Sequence, residues 1–157
     1  MVTQEEIERL FKEQQFTIDN TGIYTYTGIY PLFRRDVPAI PELGILAVHN
    51  ERSQQIIIRI LYSQNGNSRS IGKVGSVFLD KYSLELCPDW RKLFLINMYQ
   101  AFYRVLTFKR CPEGHPMIVR RRKFGTEFLG CSLFPDCAYT EGWGGTFNME
   151  HILEHLL

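Results

Sequence analysis

Two short turns rich in metal-ligating residues, Cys111-Pro-Glu-Gly-His115 and Cys131-Ser-Leu-Phe-Pro-Asp-Cys137, stand fifteen residues apart. No other feature constrains the fold of the C-terminal third so tightly, because two such turns facing each other close a tetrahedral site without needing a large core. Zinc takes thiolate sulfur at about 2.3 Å and imidazole nitrogen at about 2.0 Å, so the expected ligands of a Zn²⁺ ion are Cys111, His115, Cys131 and Cys137. Four protein ligands leave no position for a reactive water, which makes the metal structural rather than catalytic. Cys87 stands apart and competes with His115 for the fourth place, although a free buried thiol is the commoner state of such a residue. Cysteines clustered beside a histidine read as ligands and not as a disulfide framework.

The second turn carries a longer pattern, Phe128-Leu-Gly-Cys-Ser-Leu-Phe-Pro-Asp-Cys-Ala-Tyr-Thr140, and the first opens on Cys111-Pro112 before a basic strand over 117–124. Together these residues resemble the zinc-finger repeats at the C-terminus of bacterial type IA DNA topoisomerases. That family usually places a second cysteine three positions after the first, where this chain has Gly114, and His115 is the replacement. The resemblance implies a small zinc-ribbon-like β module over residues 109–141 that binds DNA, single strands especially, or in some relatives contacts RNA polymerase. It is confined to the finger, so topoisomerase activity does not come with it.

Within the module, Arg120-Arg-Arg-Lys123 gives a cationic run. Strand geometry sends Arg120 and Arg122 to one face and Arg121 and Lys123 to the other. Phe124, Phe128 and Phe134 are the candidate stacking faces, and cations tracking a backbone beside exposed aromatics suit a single strand. Residues 109–140 hold six basic and three acidic side chains, a local charge of +3. That supports a modest electrostatic patch. The competing description is a solvated hairpin whose aromatics fill a small core, with Leu133, Phe134 and Trp143 seating a protein partner.

The rest of the chain reads as an α+β domain over residues 1–108. Thr3 and Glu6 form a capping-box pattern before Ile7, Leu10 and Phe11, predicting a helix over 3–15. Residues 16–30, rich in Thr, Ile and Tyr, predict short strands and turns. Prolines at 31, 38 and 41 predict a loop or edge across 31–43. β-Branched runs at 45–49, 55–62 and 74–79 predict antiparallel strands, with Asn65-Gly66 as a hairpin turn. Over 88–108, Leu93, Ile96, Tyr99, Tyr103 and Leu106 recur at helical spacing, with Leu95, Met98, Phe102 and Val105 beside them, predicting a long buried helix. Asn148 is placed to cap a closing amphipathic helix after the Gly-rich turn, within 142–157.

Other motifs exclude more than they suggest. His151-Ile-Leu-Glu154-His155 matches an inverted zincin pattern but reads as the solvated face of the terminal helix. His49 with Glu51, and Asp80 with Lys81 and Glu85, are scattered acids and bases without an ordered nuclease motif. Gly66, Gly72 and Gly75 lack phosphate-loop and dinucleotide-binding spacing. The chain has 157 residues, is 45% hydrophobic and carries 18 Lys and Arg against 17 Asp and Glu, which excludes a disordered class. No apolar run approaches the roughly 20 residues of a spanning helix, and the acidic N-terminus is unlike a secretory signal. The expected location is cytoplasmic, with no membrane partner. The expected function is non-catalytic binding of nucleic acid, single-stranded DNA above all. The alternatives are a docking module that contacts a larger machine such as RNA polymerase, or a nucleic-acid-processing enzyme with its site in residues 1–108.

Overall fold

The computed structural model describes residues 2–18, 32–79 and 90–144. Helix α1 (Gln4–Glu13) begins at Thr3, whose hydroxyl accepts from the Glu6 N–H while the Glu6 carboxylate accepts from the Thr3 N–H at 2.8 Å. That is the expected capping box, and Ile7, Leu10 and Phe11 form the buried stripe.

Five strands, β1 (Thr17–Ile18), β2 (Leu32–Asp36), β3 (Leu43–Asn50), β4 (Gln55–Gln64) and β5 (Asn67–Phe78), make one antiparallel sheet in chain order. Where a loop or edge is expected across 31–43, residues 32–36 instead form strand β2, paired with β1 on one side and β3 on the other. Pro38 and Pro41 fall beyond its end, so residues 32–36 keep their N–H donors and pair from Leu32↔Val48 to Asp36↔Gly44. Asn65 (φ 54°) and Gly66 (φ 80°) make the left-handed turn between β4 and β5 that a two-residue hairpin requires. Strand β5 starts at Asn67, not near Val74 as expected, because the two-residue turn sets Asn67 directly opposite Gln64, and pairing then runs on past register shifts at Ile58/Arg59 and Ile60/Leu61.

Helix α2 (Trp90–Val105) covers the sheet with Phe94, Met98, Ala101, Phe102 and Val105, all fully buried. This face is turned away from the expected leading stripe. Ile96 is 54% exposed, and Leu93, Tyr99, Tyr103 and Leu106 flank the core. The helix is apolar on so many sides that its period alone leaves the inward face undetermined. Phe11 joins the layers, its ring centroid 5.1 Å from that of Phe33 on β2 and 5.4 Å from that of Phe94 on α2.

Strands β6 (Met117–Arg121), β7 (Glu127–Cys131) and β8 (Thr140–Gly142) form a second antiparallel sheet. The protein is therefore α+β, with two antiparallel sheets. Alternation along β6 divides its burial: Ile118 enters the main core, while Met117 and Val119 join Leu129, Cys111 and Cys131 in a second cluster. Three polar links also tie this small sheet to the larger body. Arg110 forms a two-pronged ion pair with Glu42, and Arg69 meets Asp136 at 3.7 Å. The Tyr103 hydroxyl donates to Glu127 at 3.0 Å and accepts from the Trp143 indole at 3.0 Å. The predicted closing helix, the His151-Glu154-His155 motif, Cys87, Asp80, Lys81 and Glu85 lie outside the described residues.

Candidate metal centre and nucleic-acid interface

Cys111 ends the link from α2 and opens a tight turn: its N–H donates to the His115 carbonyl at 2.9 Å, and the Gly114 N–H donates to the Cys111 carbonyl at 2.8 Å. Gly114 takes φ 86°, a conformation that residues with a Cβ rarely adopt, and this brings the His115 ring back toward Cys111. Cys131 closes β7 and Cys137 ends the following turn, which is held by the Phe134 N–H on the Cys131 carbonyl and the Cys137 N–H on the Leu133 carbonyl.

The four side chains converge, with their ligand atoms all within 4.8 Å of one another. Two S···S separations, Cys111 to Cys131 and Cys111 to Cys137, are 3.9 Å. The His115 Nδ1 atom is 3.4 Å from the Cys111 sulfur and 3.5 Å from the Cys131 sulfur. A tetrahedron built on Zn–S of about 2.3 Å and Zn–N of about 2.0 Å has S···S edges of about 3.8 Å and S···N edges of about 3.5 Å. The donor set therefore fits a structural zinc ion in both chemistry and spacing.

The two buried thiols differ in acidity. Burial pushes the Cys131 thiol up to about 12. Burial also raises the Cys111 thiol, but hydrogen bonds from the His115 and Glu113 backbone and from the neighbouring thiols bring it below its ordinary value. Three thiolates so close together repel one another strongly, and a divalent cation among them removes that penalty. The Leu133 N–H donates to the Cys131 sulfur at 3.4 Å, and Arg110 donates to the Gly114 carbonyl at 2.8 Å, so groups outside the ligand set also hold both turns.

The hairpin between β6 and β7 carries the cationic run. Arg120 folds back over Gly130, where a Cβ would lie 2.7 Å from its Cδ and 2.9 Å from its Nε. Its guanidinium donates to the Cys131 carbonyl at 3.3 Å and sits 5.7 Å from the Phe134 ring centroid. Arg121 meets Glu127 at 3.6 Å, and Arg122 lies 4.6 Å from the centroid of Phe128. Strand β6 ends at Arg121, so Lys123 sits in the turn closed by Gly125 (φ 87°), not on a strand face with Arg121. Phe124 beside it is 92% exposed, and Phe134 is 58% exposed.

Sequence reasoning did not anticipate Glu42, Tyr103 or the role of Arg110. The only signal for the fold-back of Arg120 is the small residue Gly130, two pairs along from its cross-strand partner Phe128 and so on the same face of the sheet. His49 belongs to no acidic site among the described residues. It is 3% exposed, its Nδ1 bonds the Gln4 side chain, and its Nε2 has no hydrogen-bond partner among the described residues.

Fold and site together define a treble-ligated zinc finger in its cysteine content, completed by a histidine and carried on an α+β body. Residues 109–143 match the family described as Topoisomerase DNA binding C4 zinc finger. DNA topoisomerase 1 of Archaeoglobus fulgidus is 38% identical over 53 residues, a stretch covering 33% of this chain and 8% of that protein. No solved structure matches the chain. The finger thus resembles the topoisomerase C4 type, with His115 in place of one cysteine.

Proposed function

We propose that the chain is a non-catalytic zinc-finger protein that binds nucleic acid, preferring single-stranded DNA, through the module ordered by Cys111, His115, Cys131 and Cys137. The observation that carries this reading is the exposed hairpin tip. Phe124 stands free for stacking beside Lys123, with Arg122 and Phe128 behind it. Unstacked bases have accessible faces where duplex bases do not, and base–aromatic stacking is worth about 1–3 kcal/mol per base. Arg121, Arg122 and Lys123 are the phosphate contacts, Phe124, Phe128 and Phe134 are the stacking candidates, and Arg120 braces the Cys131 turn.

The test is fluorescence anisotropy of the zinc-loaded full chain with labelled single-stranded and duplex DNA across a salt series. Three phosphate contacts give a log–log salt slope of about −2, at about 0.7 per contact on single strands. Salt-independent binding, or an equal preference for duplex, contradicts the proposal. Complete absence of binding transfers the finger to a protein-docking role.

A further inference from the structure

We propose that the cleft between the β4–β5 hairpin and the Cys131–Cys137 turn holds one nucleotide of the bound strand. This rests on the nucleic-acid reading above and extends the interface beyond the finger to the large sheet. Cross-strand pairing determines which side chains face the cleft. Tyr62↔Arg69 and Gln64↔Asn67 are alternate pairs at the hairpin end, so all four project from the same side of the sheet. Leu133 and Asp136 of the metal-binding turn stand opposite them, enclosing a groove of about 370 Å³. That volume is within the range of small-ligand sites.

The lining suits a nucleotide for three reasons. Tyr62, 5% exposed, and the partly buried Leu133 provide a mostly apolar floor for a flat ring. The carboxamides of Gln64 and Asn67 offer paired donors and acceptors, the groups that read base edges. The Tyr62 hydroxyl donates to the Gln64 Oε1 atom at 3.1 Å, which fixes that oxygen and leaves the amide N–H₂ to donate. At the rim, Arg69 and Asp136 are paired at only 3.7 Å, with side chains 45% and 77% exposed. An exposed ion pair of that length holds weakly, so a phosphate takes Arg69 from Asp136 at little cost. An acidic peptide would meet the same single cation but brings no flat ring for the Tyr62 and Leu133 floor, whereas a base linked to a phosphate uses both floor and rim.

The test compares zinc-loaded wild type, a Gln64→Ala/Asn67→Ala double variant, Arg69→Ala, and a finger variant, Arg122→Ala/Lys123→Ala. The probes are labelled dA, dT and dC 12-mers and the corresponding free mononucleotides. Unchanged zinc content and thermal transition establish folding. The double variant is expected to lose about tenfold on the preferred homopolymer and to bind all three nearly equally. With Arg69 as a fourth phosphate contact the wild-type salt slope steepens to about −3, and Arg69→Ala should return it to the finger's own value of about −2 while keeping the base ranking. If the cleft variants keep wild-type affinity, ranking and slope while the finger variant loses binding, the cleft proposal fails and the finger reading stands. If wild type binds no oligonucleotide, both fail. Mononucleotide binding as tight as that of the 12-mers overturns the assignment to a strand and makes the cleft a free-nucleotide site.

Discussion

Gly130→Ala probes the brace behind the metal-binding turn. A Cβ at position 130 would lie 2.7 Å from the Arg120 Cδ and 2.9 Å from its Nε, so the arginine must leave its place. Leaving costs its hydrogen bond to the Cys131 carbonyl, long at 3.3 Å, and its contact with the exposed Phe134 ring. The first is worth about 1 kcal/mol and the second about 0.5–1 kcal/mol, while alanine recovers about 0.5 kcal/mol by restricting the unfolded chain. The net loss is about 1 kcal/mol, a fall in Tm of about 2–4 °C for a chain of this size. Gly142→Ala is the control, since nothing among the described residues lies within 4 Å of a Cβ there, and it should leave Tm level or slightly raised. Thermal unfolding of the zinc-loaded protein, repeated in an Arg120→Ala background, isolates the cause. The cost of Gly130→Ala should vanish in that background. An equal cost in both backgrounds, or none in wild type, refutes the fold-back of Arg120.

Three further outcomes follow from individual contacts. Burial holds the His49 pKa below its ordinary value, against the opposing influence of Glu51 and Glu8, so the folded state binds this proton less tightly than the unfolded chain. Its contribution is present above about pH 6.5 and is lost as pH falls, at up to about 1.4 kcal/mol per pH unit, and denaturant titrations of His49→Leu should show a shallower acid decline. Tyr103→Phe removes one hydroxyl from both Glu127 and Trp143, and should cost about 1–2 kcal/mol and shift the tryptophan emission to the red. Chelation should strip hydrogen-exchange protection from β6–β8 before β3 and β4, because the small sheet's inner cluster includes the ligands Cys111 and Cys131.

What the sequence made legible was what local chemistry controls. Thr3 and Glu6 specified a cap, Asn65-Gly66 specified a turn, and the Cys/His spacing specified the site, because each depends on a few neighbouring residues. Strand β2 is hidden because Pro31, Pro38 and Pro41 bracket five residues, 32–36, that keep their own N–H donors. The inward face of α2 was hidden because Leu93, Phe94, Leu95 and Ile96 are all apolar, and only the sheet beneath selects among them. Arg120 illustrates the same limit at the candidate site. Its place in a basic run says nothing of the glycine on the neighbouring strand over which it folds to reach the Cys131 carbonyl. Glu42 and Arg110 are 68 residues apart, and no local pattern announces their pairing.

The central claim is that one zinc ion orders a finger that binds single strands, and one preparation tests both halves. The purified chain is assayed for zinc by elemental analysis and then titrated with labelled single-stranded DNA before and after chelation. The expected result is one zinc per chain, bound through Cys111, His115, Cys131 and Cys137, with salt-sensitive binding that disappears on chelation and returns with zinc. A protein that holds no zinc under metal-preserving conditions, or that binds DNA equally well without it, contradicts the account.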